Sequence, residues 1–425
     1  MANSEHLALI KQGVAVWNGW YKNHKTVVAD LSQANLSNFN LSGINLKKAN
    51  LKQTNLSNAD LSKSQLVNAD LSRANLLGAN LNNANFKGAN LDYVILFQAI
   101  INRQTLMATK YLKVHEIVNN QVSKKDFSGI DLSNSNLFRA DLSNAELSNV
   151  KLINVNLNSA NLSSAYLYKA DLTGANLQNA DLRNAYFSQA DLTSAYLGGA
   201  LCCGTYFKDA DLKFVNLKTA QFSHETMIDL KWHTVWEIVN HGAVKKNLSG
   251  VDLSNANLQG VNFEGANLTN AKLSHAILRR SNLTNANLTN ANLSNSDLVG
   301  ANVCGVDLNQ ANLKGAKLKS VISDRHPPLS IIDNRGKTNV TVKERPVDEI
   351  EIKSTSKTPT KIQTNQTDLS NQTKSGKNLV GILLLGIIAA VIAGGYVFLN
   401  QNPDFPWSEK LEQLKLKLEQ LNPLG

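Results

Sequence analysis

His233 and Glu237 lie four residues apart, the spacing that puts a metal-ligand pair or an acid–base pair on one face of a helix. The pair is expected to be two solvated helix residues rather than a site. The other histidines are scattered. Cys202 and Cys203 are adjacent and Cys304 stands alone, so no CxxC pair exists for zinc or redox work, and three cysteines fit a reducing compartment. No P-loop, strand-following GxGxxG, HExxH, GxSxG or kinase motif set is present. The sequence therefore predicts no catalytic residue, no metal site and no cofactor, and a protein that is not an enzyme. Tyr166, Tyr186 and Tyr206 are a different kind of signal. They recur at intervals of twenty residues, and Tyr196 falls midway. Tyrosine suits interfaces because one ring offers apolar area and a polar tip. Whether the three form one surface depends on the elements that carry them.

Those elements are repeats. Leu or Phe recurs every fifth residue, with Ala, Ser or Val two residues earlier and often Asp or Asn between, as in Ala69-Asp70-Leu71 and Ala170-Asp171-Leu172. Three arrays keep this phase: Leu31 to Leu106 in sixteen positions, Phe127 to Phe222 in twenty, and Leu248 to Leu318 in fifteen. On an α-helix, five residues advance about 500°, so the leucines would smear around every face. On one straight strand they would alternate between faces, because five is odd. A chain that turns after each quintet buries them all. Within a quintet the small residue and the leucine share one face, and each turn presents the next pair to the same interior. If four sides close a coil of twenty residues, coils stack at about 4.8 Å, the strand spacing. Tyr166, Tyr186 and Tyr206 then form a column on one wall, and Tyr196 lies on the opposite wall. The column is either a binding anchor for a partner or a ladder that only stabilises the coil.

The A(D/N)LXX pattern resembles the pentapeptide repeat proteins over about residues 29–318. The resemblance implies their fold, an all-β solenoid that is a right-handed quadrilateral β-helix; the four sides and the hand come from the family. Phe39 and Ile44 occupy normally small inward positions near the start, which reads as a wider first coil beneath a cap. Gln104, Lys125, Glu225 and Lys246 flank two interruptions at inward positions, so the packed column is expected to open there. Those interruptions are related: residues 105–132 align without gaps to 226–253, and each advances the phase by twenty-one residues. Each carries an apolar helical stripe, Val114, Ile117 and Val118 in one and Val235, Ile238 and Val239 in the other. The expected organisation is an N-terminal cap helix in 1–28, arrays at 29–106, 127–222 and 248–318, and helical spacers at 107–126 and 223–247. Solenoids need such caps because an open end exposes core and unpaired strand edges.

The chain carries 43 basic and 33 acidic residues, a net charge of +10, with 18% charged and 43% apolar residues. The excess is spread along the chain with no dense basic stripe, which argues against a nucleic-acid partner. Some pentapeptide proteins mimic the DNA duplex and bind type II topoisomerases. That alternative needs an anionic rod, and the three arrays sum to +3. An enzyme with an unrecognised site is a further alternative, without convergent polar groups in the sequence to support it.

After Leu318 the character changes. Residues 319–378 are a flexible linker by composition, with a short hairpin possible around 340–352. Residues 379–399 are uncharged and apolar, about 31 Å of helix against a ~30 Å hydrocarbon core. They read as a single-pass transmembrane helix. Lys374 and Lys377 precede it, residues 400–409 hold no Lys or Arg, and the N-terminus has no apolar run of a secretory signal. The expected arrangement is a cytoplasmic solenoid on a bacterial membrane, plasma or thylakoid, with the tail 400–425 on the far side. Gly386, Ala390 and Gly394 form a small-residue face on which two such helices could pack as a homodimer. In the tail, Leu411, Leu414, Leu418 and Leu421 share one helical side. The functional expectation is a membrane-anchored protein-binding scaffold or regulator whose partner contacts are Tyr166, Tyr186 and Tyr206.

Overall fold

The computed structural model describes residues 2–120 and 125–324. Each side of the solenoid contributes one bridging residue, and the same bridge recurs twenty residues later: Asp131 to Lys151, Asp171, Asp191 and Asp211, and likewise Tyr166 to Tyr186 and Tyr206. Successive ladders lie five residues apart in the chain, so a coil of twenty has four sides. All are parallel, as successive turns of one winding must be.

The corners explain the period. The chain turns between each inward leucine and the next small residue, and a bond such as Ala175 N–H to Leu172 C=O, 2.9 Å, closes the turn. The residue before the small one lies in the left-handed region: Gln33 at φ 60°, Asn68 at 56°, Asn184 at 58°. Positive φ at the third turn residue alone defines a type II turn, which explains the abundance of Asn and Gly there. Gly199 shows why glycine is sometimes required: a Cβ on it would collide with the Asn179 side-chain oxygen one coil below. The Asp or Asn on the wall accepts from the N–H two residues on, as Asp171 Oδ1 does from Thr173 at 3.0 Å. That is a turn-forming role, not a catalytic one.

Inside, Leu, Phe and Ala fill one apolar column from Ile10 to Val321. The N-terminal cap is two helices rather than the single one expected, α1 (Ser4–Lys11) and α2 (Val14–Asn23). Gly13, at φ 110°, breaks them apart. The buried Trp17 donates to Asn45 C=O at 2.7 Å, and the Asn18 amide accepts from Asn45 N–H at 2.8 Å. The cap thus satisfies the first coil's free edge while covering the buried Ile44.

The two interruptions are α3 (Thr109–Val118) and α4 (Leu230–His241). The column does not open at them. Val114 and Ile117, and Val235 and Ile238, are buried and plug it. Gln104 and Glu225 are exposed, because the chain slips by one residue. Thr105 and Thr226 take the inward place instead, donating to Leu81 C=O at 2.9 Å and to Cys202 C=O at 2.8 Å. On the far side of each helix, Lys125 reaches out to Asp141 at 2.8 Å and Lys246 is exposed, so neither cation enters the column. Leu106 consequently faces solvent, a correction to its place in the inward series. The helices also cap the arrays below them. Asn240 donates to Leu217 C=O at 3.1 Å and accepts from Thr219 N–H at 2.6 Å, and Asn119 repeats the arrangement on Leu96 and Gln98. Beside the helices the winding continues directly: Tyr93 N–H meets Asn134 C=O at 2.7 Å, and Phe214 N–H meets Asn255 C=O at 2.8 Å.

Replacing Asn240 with alanine leaves an edge carbonyl and an edge N–H without their cap, at a cost of ~1–2 kcal/mol. The expected result is faster hydrogen exchange in a peptide spanning 217–220, by about tenfold. Unchanged exchange there would show that the asparagine is dispensable.

Among the described residues no helix is long and apolar enough to cross a membrane. The hairpin at 340–352, the apolar segment 379–399 with Gly386, Ala390 and Gly394, and the leucines of the tail lie outside the described residues, as does the linker from 325 onward.

Candidate tyrosine wall

The wall that carries the tyrosines runs Asp126, Glu146, Tyr166, Tyr186, Tyr206 and Met227 in consecutive coils. The coil repeat fixes the tyrosine backbones one rise apart, and the rings stack: Tyr166 on Tyr186 at 4.9 Å and 8°, Tyr186 on Tyr206 at 4.8 Å and 19°. Tyr168 joins at 6.2 Å from Tyr166, and Lys169 Nζ lies 5.0 Å from its ring centre. The three column tyrosines are half-buried, and none of their hydroxyls hydrogen-bonds within the described residues. Burial first, then the neighbouring Tyr186 and Glu146, pushes the Tyr166 hydroxyl above the ordinary tyrosine range. Tyr206 shifts the same way, through burial, then Tyr186, Asp209 and Asp229. Both therefore stay protonated across the physiological range, able to donate and to accept. Tyr196 stands on the opposite wall among Asn136, Asn156, Asn176 and Asn216, more exposed at 49%.

Sequence spacing found the column but not its extension. Met227 is 57% exposed on the same wall, and Leu230, at the start of α4, is 81% exposed. Their place depends on the one-residue slip before α4, which only the structure locates. A second apolar group lies beside the first junction: Ile95, Phe97, Ile100 and Phe138 are exposed there, with Arg139 stacked 5.0 Å over Phe138. The matching positions at the second junction, Asn216, Lys218, Gln221 and Gln259, are polar, and three of them line a cleft of about 170 Å³.

His233 and Glu237 do not form a pair. Glu237 instead meets His241 at 3.3 Å on α4, and His233 packs near the Trp236 ring. Among the described residues no group of three or more His, Cys, Asp or Glu could hold a metal. Cys202 is buried in the column in a leucine's place, and burial raises its thiol far above the ordinary range. An open groove of about 340 Å³ runs over Ser32, Lys52, Ser72 and Arg73 on the first array.

A four-sided β-helix built from A(D/N)LXX quintets, with helices plugging its breaks, defines a class of repeat solenoid. The chain belongs to the pentapeptide repeat family: the family's repeat profile matches over residues 29–62, 64–103, 126–152, 151–189, 185–223, 247–285 and 286–322. Its fold is that family's right-handed quadrilateral β-helix. Among solved structures, the chain is similar to a pentapeptide repeat protein of Nostoc Pcc 7120, at 39% identity over 21% of this chain and 78% of that one, with a TM-score of 0.21. It is also similar to HetL, a pentapeptide repeat protein of Nostoc sp. strain PCC 7120 involved in heterocyst differentiation regulation, at 24% identity over 75% and 97%, TM-score 0.14. A third is a pentapeptide repeat protein of the Arabidopsis thaliana thylakoid lumen, at 29% identity over 28% and 79%, TM-score 0.16. No curated protein matches the chain.

Proposed function

We propose that this chain is a membrane-anchored, non-enzymatic solenoid that holds a protein partner through the tyrosine wall of its second array. The observation that carries the reading is the stacked, half-exposed column of Tyr166, Tyr186 and Tyr206, prolonged by Met227 and Leu230. Rigid aromatic side chains in register give contact area with little entropy left to lose. The anchor is the apolar segment 379–399, with the solenoid on the cytoplasmic side of a bacterial plasma or thylakoid membrane and the tail beyond it. Two copies pair through Gly386, Ala390 and Gly394.

The stack itself stabilises the coil, at ~0.5–1.5 kcal/mol per pair. Two variants therefore test the wall. The triple change of Tyr166, Tyr186 and Tyr206 to Phe keeps the stack and removes the hydroxyls; the triple change to Ser removes both. The Ser variant is expected to melt a few degrees lower and to lose its partner by at least tenfold in co-purification from detergent-solubilised membranes. Tyr196→Ser, on the opposite wall, should lose none. If the Ser variant melts lower but keeps its partner, the column is a structural ladder and the reading fails.

Duplex mimicry of a topoisomerase substrate has one observation on its side, the wall of Asp131, Asp171, Asp191 and Asp211. Lys151 interrupts that wall, and Lys213 neutralises Asp211 at 2.7 Å, so the anionic run is short.

A further inference from the structure

Resting on the reading of the tyrosine wall as a docking surface, we propose that its ligand is a basic peptide segment presenting arginine or lysine side chains along the wall. Three observations carry this.

The first is what the stack leaves exposed. Rings parallel within 8° and 19° at 4.8–4.9 Å hide their faces against each other. The surface then presents ring edges and a file of hydroxyl oxygens without internal partners. That file suits a ligand rich in donors, and guanidinium is the side chain with most of them.

The second is the charge around it. Glu146 is the next wall residue below Tyr166, and Asp126 lies below Glu146. At the other end, Asp209 and Asp229 are close enough to Tyr206 to disfavour its ionisation. None of these four carboxylates makes an ion pair among the described residues. Asp229 precedes α4 without using its side chain as a cap. The cations nearby are Lys169, drawn onto the Tyr168 ring, Lys208, and Lys125 and Lys231, which pair with Asp141 at 2.8 Å and Asp252 at 3.4 Å. In a chain of net charge +10 this wall is locally acidic.

The third is an internal comparison. The two junctions superimpose in sequence at an offset of 121 residues, so each array has an equivalent wall. In the first array that wall is Asn45, Gln65, Asn85 and Leu106, and in the third Asn247, Asn267 and Asn287, with Asp307 at the position matching Tyr186. The first-array residues matching Asp209 and Asp229 are Gly88 and Ala108. The asparagines of the third array bond to each other, Asn267 Nδ2 to Asn247 Oδ1 at 3.0 Å. Coil formation therefore needs neither tyrosine nor carboxylate here, and their joint presence on one array of three is specific to that wall.

The test uses the purified full-length chain and three fluorescein-labelled dodecapeptides, in which leucine alternates with arginine, glutamate or glutamine. Fluorescence anisotropy reads the affinities. The arginine peptide is expected to bind at least tenfold tighter than the other two. The combined variant Glu146→Gln, Asp209→Asn, Asp229→Asn should lose that preference while keeping the stack, because the glutamine side chain retains an oxygen to accept from Ser148 N–H as Glu146 does. The control variant Asp131→Asn, Asp171→Asn, Asp191→Asn, on the neighbouring wall, should keep it. Failure of all three peptides to bind, or a preference that survives the first variant, overturns the basic-ligand inference. If the glutamine or glutamate peptide binds best and the Tyr-to-Ser variant abolishes it, the docking wall stands and only its ligand class is wrong. If arginine-peptide binding survives the Tyr-to-Ser variant, the wall reading falls as well.

Discussion

Leu172→Asp is expected to unfold the second array. Leu172 has no exposed surface, and its backbone is fixed by bonds to Asp191 C=O at 2.7 Å and from Ala175 N–H at 2.9 Å. Above and below it in the column stand Leu192 and Leu152, also fully buried. A carboxylate there meets no donor. Removing a core leucine's volume alone costs ~2–5 kcal/mol, and burying an unpaired polar group adds several more. Because each coil contacts only its neighbours, the damage spreads coil by coil toward α3 and α4. Circular dichroism and limited proteolysis should show loss of ordered structure within 126–227 and a melting temperature lower by ten degrees or more, on the order of what this loss implies. Leu201→Asp is the matched control. Leu201 sits on a side wall where the preceding coils carry Asp181, Asn161 and Asp141, so aspartate there fits the turn and should change little. Equal effects from the two substitutions would mean that the inward and outward assignments are wrong.

The contrast between positions 172 and 201 is one a reader of the sequence can draw. The period of five turns the leucines that keep its phase inward, Leu106 excepted, and the coil of twenty puts Tyr166, Tyr186 and Tyr206 in one file. What the period cannot place is the single extra residue in each twenty-one-residue step. Gln104 falls on the inward phase by counting, yet Thr105 is buried, because its hydroxyl can bond Leu81 C=O inside the column and the longer Gln side chain can reach water. That slip turns Leu106 outward in the first array and Met227 outward in the second.

The caps were half legible for a similar reason. A helical stripe predicts that Val114 and Ile117 face the core, but not that a helix lying across the column end would replace a coil and close it. Nor does the stripe reveal that Asn119 and Asn240 serve as edge partners. Gly13 is a turn signal in plain view, yet only the positive φ it adopts separates α1 from α2. The carboxylates around the tyrosines illustrate the limit most sharply. Asp209 and Asp229 are twenty residues apart, but whether both sit near Tyr206 depends on where the winding stops and α4 begins.

Deleting residues 379–425 is expected to move the protein from the membrane pellet to the soluble fraction. Of the 21 residues in 379–399, 13 are Leu, Ile, Val or Phe, and none is charged. At about −0.3 to −0.6 kcal/mol each, those thirteen favour insertion by ~4–8 kcal/mol. The four glycines and Tyr396 reduce that sum but supply no charge to reverse it. Such an energy corresponds to a preference for the bilayer of about a thousandfold or more. The solenoid holds its own apolar column from Ile10 to Val321, so the truncated chain keeps its core and should remain folded in solution. Fractionation followed by an alkaline wash separates insertion from peripheral attachment: the full-length chain should stay in the pellet and require detergent, and the truncated chain should appear in the supernatant with an unchanged melting temperature. A further variant, Ile388→Arg with Val391→Arg, puts two charges at the centre of the span at ~2.5–3.5 kcal/mol each and should release most of the full-length chain. Full-length protein recovered in the supernatant without detergent would remove the anchor from the reading, and the tyrosine wall would then meet its partner in solution.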